Sequence, residues 1–132
     1  MFLVHTHLAP SPIHGIGVFI DEPVRKGTVV WRFDARIDVH IPRAELAGFP
    51  VAVQEYLRVH AYVETVDGHE TMVLCADSAQ YVNHSTAPNL IDSPDGTYET
   101  AGRDLAAGEE LTCNYYVFDR ASGEKLGPEP VR

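Results

Sequence analysis

Two polar stretches interrupt a chain that otherwise spells short strands. One is Tyr81-Val82-Asn83-His84-Ser85-Thr86-Ala87-Pro88-Asn89; the other is Gly108-Glu109-Glu110-Leu111-Thr112-Cys113-Asn114-Tyr115. Asn83 and His84 follow an apolar Tyr-Val pair, and a buried polar side chain is costly unless it is hydrogen-bonded. An Asx-turn or a histidine satisfied within the core is one reading of the first stretch. The second closes an apolar run on a pair of tyrosines, and Tyr115 there is either an amphipathic aromatic with a wet hydroxyl or a reactive group.

The remaining pattern is that of a mainly β domain. Val18 to Ile20 is a brief apolar run after two glycines. Thr28 to Phe33 is rich in β-branched and aromatic residues and follows a turn at Arg25-Lys26-Gly27. Residues 42–60 have helical periodicity, with Ala44, Leu46 and Ala47 on one face and Val53, Tyr56 and Leu57 on another. Gly48 and Pro50 divide that region into two short helices. Tyr62 to Val66 and Glu70 to Leu74 flank Asp67-Gly68, a hairpin signal. Residues 87–96 read as a loop, and Tyr98 to Ala101 and Glu110 to Asn114 as strands joined across Ala106-Ala107-Gly108. Residues 1–120 form the domain and 121–132 a tail. Val24 to Val30 and Leu105 to Leu111 echo one another, which a common turn recipe used twice explains as well as a duplication does.

At 132 residues the chain has the length of one self-sufficient domain. A formal charge of −9 argues against a broad phosphate-binding surface and so against direct contact with nucleic acid. It suits a basic peptide partner, although it also simply keeps a protein in solution. No apolar run approaches the roughly 20 residues that span a bilayer, and Met1 to His5 lacks the pattern of a signal peptide. An intracellular location is expected, cytoplasmic, or nuclear in a eukaryote. Cys75 and Cys113 read as lone buried thiols. The seven histidines show no zinc spacing, so no metal is expected.

Near the N-terminus, His14-Gly15-Ile16-Gly17-Val18-Phe19 places two glycines before a strand, where backbone can approach a ligand closely. In isolation this is a tight turn, and it lacks the third glycine of a dinucleotide fingerprint. The three elements in this order, over roughly residues 10 to 118, resemble SET-domain protein lysine methyltransferases. Tyr81 to Asn89 is similar to that family's Arg-Phe-Ile-Asn-His-Ser-Cys-x-Pro-Asn, and Glu110 to Tyr115 to its Glu-Leu-Thr-Phe-Asp-Tyr. Gln80 departs from the family's arginine and Thr86 from its frequent cysteine.

The resemblance implies a β-clip fold of small sheets and short helices, with a C-terminal pseudoknot in which the second motif passes beneath the first. It implies S-adenosylmethionine as cofactor, bordered by Gly15, Ile16, Gly17, Tyr81, Asn83 and His84. Asn83 would hold the amino-acid part, and the His84 backbone would meet the adenine edge. Tyr115 would be the catalytic residue, with a one-residue slip to Tyr116 as the positional alternative. Tyr62, Cys113 and Phe118 would line a lysine channel; the small Cys113 implies room for di- or trimethylation. Larger relatives close that channel with a cysteine-rich zinc module, a task left here to residues 117–132. The implied partner is a lysine-containing, basic protein or peptide, with homodimerisation as a possible way to complete the groove. A SET-like module that binds a basic peptide without catalysis is the alternative.

Overall fold

Alternating apolar and polar residues and closely spaced turns give ten short strands among the described residues. The structure is a computed structural model that describes residues 1–131. Strands β1 (Thr6–Pro10) and β2 (Ile16–Ile20) form an antiparallel ribbon, with Thr6 opposite Ile20 and Pro10 opposite Ile16. The strands β3 (Val29–Arg32), β4 (Asp38–Pro42), β5 (Tyr62–Val66) and β6 (His69–Cys75) follow. Next come β7 (Asn83–His84), β8 (Leu90–Asp92), β9 (Tyr98–Ala101) and β10 (Thr112–Cys113). Two three-stranded sheets have the orders β3-β9-β8 and β4-β6-β5, and β7 pairs with β10 in parallel. The parallel pair joins the two polar motifs directly.

The helical region divides at Gly48 and Pro50, as its punctuation implies: a 3-10 turn at Arg43–Gly48 precedes α1 (Val51–His60). Pro50 has no N–H to lose at a helix start, and its carbonyl accepts from Val53 and Gln54. Only Leu57 of α1 is buried, so Val53 and Tyr56 do not form the inward face their spacing suggested. Asp67 and Gly68 both have positive φ, 49° and 79°, which matches the right-handed twist of the β5–β6 hairpin. β4 and β8 lie where no strand was expected; β8 is three residues long, and its partner β9 supplies the ladder.

The echoing turns prove to be spatial partners. Val24 and Leu105 exchange N–H···O bonds of 2.9 and 2.7 Å. Gly27 donates to Ala101 and Gly108 to Ile20, while Ile20 donates to Glu109 and Ala101 to Thr28. Each bond thus has its counterpart across a local two-fold axis. Gly27 and Gly108 both take positive φ, 82° and 88°, which a β-carbon would disfavour. Val18, Ile20, Val30, Leu90 and Leu111 fill the main core beneath.

After β10 come α2 (Tyr115–Phe118) and α3 (Ser122–Leu126), the latter within residues 121–132, and Ala121 packs with Leu57, Val63 and Met72 in a second core. Arg132 lies outside the described residues. Cys75 and Cys113 are free and buried. Among the described residues no helix is long and apolar enough to cross a membrane.

Candidate active site

The loop between β1 and β2 is held from below by the two polar motifs. Ser11 closes it: its N–H donates to the Gly15 carbonyl at 2.8 Å, and its hydroxyl donates to the Glu110 carboxylate at 2.8 and 2.9 Å. The Asn83 amide, buried on β7, donates towards the carbonyls of His14 (3.0 Å) and Ile16 (3.2 Å) and towards Glu110 Oε1 (2.9 Å). Asn83 therefore has the long-range partners that its burial demands. Gly17 is buried at this junction, and a β-carbon there would fall inside the Glu110 carboxylate. Gly15 has φ +48° with open space where a side chain would be, and Ile16 is half exposed. Backbone carbonyls, an amide and an open glycine edge make a donor and acceptor set that fits a zwitterionic amino-acid group.

Asn89 fastens the second motif. Its Nδ2 donates to the Glu110 carbonyl at 2.8 Å, and its Oδ1 accepts from the Thr112 N–H at 2.9 Å. This clamp, with the β7–β10 pairing and a bond from Ser85 N–H to the Cys113 carbonyl, delivers the chain to Tyr115. There it turns helical: Asn114 Oδ1 caps α2 by accepting from the Tyr116 N–H at 3.1 Å. The strand does not continue to Tyr116, so the two tyrosines diverge by helix geometry. The Tyr115 hydroxyl donates to the Val82 carbonyl, while that of Tyr116 reaches towards the Gly127 and Pro128 carbonyls. His84 Nδ1 accepts the Tyr115 N–H at 3.1 Å, and burial holds the imidazole below its ordinary pKa. Burial pushes the Tyr115 phenol up, so it stays protonated.

Tyr115 opens into a cleft of about 560 Å³. Tyr62, Val82, Cys113 and Phe118 line it together with Tyr115. The Phe118 ring stands perpendicular to Tyr62 at 5.2 Å and edge-on to Tyr115 at 5.8 Å. Burial raises both the Tyr62 phenol and the Cys113 thiol. Gly15, Ile16, Gly17, Asn83 and His84 are outside the lining of this cleft. Val82 links the two regions: its carbonyl takes the Tyr115 hydroxyl, and the next residue holds the glycine loop. Tyr81 turns towards α1, with its ring 5.3 Å from that of His60. Gln80 donates to the Cys75 carbonyl at 3.1 Å and accepts from the Tyr56 hydroxyl.

The SET domain family model matches residues 15–116. The chain belongs to the SET-domain family. It is 28% identical over 119 residues to histone-lysine N-methyltransferase 2D of Homo sapiens and to that of Mus musculus, matches that cover 84% of this chain. It spans only 2% of the length of those relatives. Among solved structures it resembles a humanized mutant of Chaetomium thermophilum Polycomb Repressive Complex 2 bound to an inhibitor, with a TM-score of 0.66 and 22% identity over 92% of this chain and 16% of that one. It aligns equally well, with a TM-score of 0.66 and 22% identity over 93% of this chain and 16% of that one, to ctPRC2 in an autoinhibited conformation bound to S-adenosylmethionine.

Within this SET domain the C-terminal helices form part of the cleft. Asp119 Oδ1 accepts from the N–H groups of Val63 and Ala121, both at 2.9 Å. Its Oδ2 meets Lys125 Nζ at 2.7 Å, and Lys125 also donates to the Ala61 carbonyl at 2.6 Å. Lys125 lines the cleft 5.8 Å from the Tyr115 ring. Sequence reading missed Asp119, Lys125 and the supporting role of Glu110. Glu110 was in view inside its motif, but only the fold brings it to Ser11 and Asn83.

Proposed function

We propose that this SET domain transfers a methyl group from S-adenosylmethionine to the side-chain amine of lysine in a protein substrate. The observation that carries the proposal is the position of Tyr115. Its hydroxyl, paired with the Val82 carbonyl, lies in the substrate cleft, and the next residue after Val82 anchors the Gly15–Gly17 loop. Gly15, Ile16, Gly17, Asn83 and His84 are the residues we assign to the cofactor, with Tyr81 beside them. Tyr62, Cys113 and Phe118 form the lysine channel.

Bound there, the cofactor supplies a methyl group activated by a sulfonium. The chain must supply a neutral amine in the right orientation. A lysine with pKa about 10.4 is neutral in roughly one part in 2,500 at pH 7, a deficit of about 4.6 kcal/mol. Walls such as Tyr62, Phe118 and Cys113 exclude water and disfavour the ammonium form. The Tyr115 phenol, raised above its ordinary pKa, remains a hydrogen-bond donor and is not a base. With the Val82 carbonyl it orients the reacting groups, so positioning supplies the catalysis. Cys113 leaves room at the channel end for a lysine that already carries methyl groups.

The relatives' names and the charge of −9 favour a lysine-rich, histone-like substrate in an intracellular compartment. Labelled-methyl transfer from S-adenosylmethionine over a lysine-peptide array and a protein mixture tests the reading, with Tyr115→Phe as control. Label that depends on Tyr115 supports it. Cofactor and peptide binding without any transfer would instead favour the non-catalytic module.

A further inference from the structure

One buried ion pair ties two aromatic walls of the cleft together from behind. Tyr62 stands on β5, an edge strand of the β4-β6-β5 sheet, where β6 holds it on one side with Val73 opposite. An edge strand leaves backbone N–H and C=O groups open on its other side. Here the residues just after Phe118 take them. Asp119 Oδ1 accepts the Val63 N–H at 2.9 Å, and the Arg120 N–H donates to the Val63 carbonyl at 2.9 Å. Lys125 Nζ donates to the Ala61 carbonyl at 2.6 Å and to Asp119 Oδ2 at 2.7 Å. The Ala61 carbonyl and the Val63 N–H belong to the two peptide groups on either side of Tyr62. The pair therefore holds the Tyr62 backbone from both ends. It also holds Phe118, since Asp119 is the next residue and the Phe118 ring stands perpendicular to Tyr62 at 5.2 Å.

Stability alone does not call for charge at this place. The Asp119 and Lys125 side chains are 1% and 15% exposed, and they lose hydration that their attraction only partly offsets. Well-packed apolar side chains of similar volume are often as stabilising or more so. What the pair adds is direction, because hydrogen bonds fix distance and angle where an apolar contact allows sliding. We propose that Asp119 and Lys125 are positioning residues that set the width of the lysine channel, and with it how sharply the site tells an unmodified lysine from a methylated one. The proposal rests on reading the cleft as that channel.

Each methyl group on the amine replaces an N–H and adds bulk, so discrimination requires walls that do not part. Tyr62 and Phe118 belong to separate elements, β5 and α2, and the pair bonds those elements into one unit. Lys125 reaches the third wall as well, with Nζ 5.8 Å from the Tyr115 ring. Cys113 leaves room at the channel end, whereas the clamp limits the room between the sides. Asp119 and Lys125 act through Tyr62 and Phe118, so their removal should change the choice of substrate and not only the rate.

Internal competition tests this. The capped peptide Ala-Arg-Lys-Ala and its dimethyllysine form are mixed in equal amounts with the protein and S-adenosylmethionine, and mass spectrometry reads the ratio of their kcat/KM values. That ratio is independent of how much protein is folded, so a merely structural loss leaves it unmoved. The double variant Asp119→Asn with Lys125→Met removes the pair without leaving a lone buried charge, and Asp119→Asn alone keeps Oδ1 as an acceptor. Both should shift the ratio towards dimethyllysine about tenfold, the scale of one methyl-sized step in an apolar pocket. Lys125→Arg, which keeps the cation, should shift it less. A ratio unchanged in both Asp119→Asn variants overturns the clamp, and Asp119→Asn decides alone if the double variant fails to fold. Calorimetry with the unmodified and trimethyllysine peptides separates this proposal from the catalytic reading. An affinity ratio that moves in the variants supports the clamp even where no methyl group is transferred. Transfer with both ratios unmoved keeps catalysis and overturns the clamp, as does failure of the unmodified protein to bind either peptide.

Discussion

The hydroxyl of Tyr115 donates to the main-chain carbonyl of Val82, 33 residues earlier in the chain. That bond joins the end of one polar motif to the start of the other, at the edge of the cleft. Tyr115 is thus fixed twice, because His84 Nδ1 also accepts its N–H.

Tyr115→Phe keeps the ring contacts with His84 and Phe118 and removes only the hydroxyl. We expect turnover to fall by about 100-fold or more, the range seen when one oriented donor is deleted from an active site. Calorimetric affinity for S-adenosylmethionine and the unfolding midpoint should change little. Full activity in this variant would refute the role of Tyr115.

Asn89→Ala removes the clamp on the second motif. The Glu110 carbonyl and the Thr112 N–H each lose a partner at a site only 7% exposed. At about 1–3 kcal/mol for each of these two buried groups left unsatisfied, the loss should be roughly 2–6 kcal/mol. Urea unfolding measures it, and a change below about 0.5 kcal/mol would contradict the clamp.

Gly17→Ala tests the glycine loop. The new methyl must displace the Glu110 carboxylate from Ser11 and Asn83. The displaced carboxylate loses charged hydrogen bonds worth about 1.5–3 kcal/mol each, and a loss of about 1.4 kcal/mol carried into the bound loop lowers cofactor affinity about tenfold. Calorimetry with S-adenosylhomocysteine reads this; unchanged affinity would separate Gly17 from the cofactor site.

Lys125→Ala leaves the Asp119 carboxylate, whose side chain is 1% exposed, without its countercharge. Breaking one side of a buried pair costs about 3–5 kcal/mol. The unfolding midpoint should drop accordingly, and the cleft should become more accessible to proteolysis at residues 119–127. A midpoint equal to that of the unmodified protein would show that α3 is dispensable.

Stability should depend on pH from two directions. Asp92 and Glu99 stand opposite one another on β8 and β9, and burial raises their folded pKa values to about 6 and about 8, above ordinary carboxyl values near 4. Their contribution is fully present below about pH 4 and is lost as pH rises through those folded values. His84 is depressed, so its contribution is present above about 6.5 and is lost as pH falls below it. Thermal unfolding across pH 5 to 9 should therefore show an alkaline decline that Glu99→Gln flattens. An unchanged alkaline slope in that variant would exclude the pair as its cause.

Local chemistry made much of this legible in the sequence. Asp67-Gly68 spelled its own hairpin because both positions need positive φ. Gly48 and Pro50 divided the helical region because one lacks a side chain and the other an N–H. The polar residues Asn83, His84 and Asn89 announced that distant partners existed, since burying them alone would be too costly. The identity of those partners was not local information. Tertiary structure alone placed Glu110 under Gly17, because a one-atom clearance depends on two strands meeting. It alone turned the chain helical at Tyr115, so that the Tyr115 and Tyr116 hydroxyls reach different partners, and it placed α3 where Lys125 meets Asp119. It also set Asp92 opposite Glu99, a matter of strand register. Register and sheet order arise from contacts between residues far apart in the chain, so composition and spacing carry no record of them.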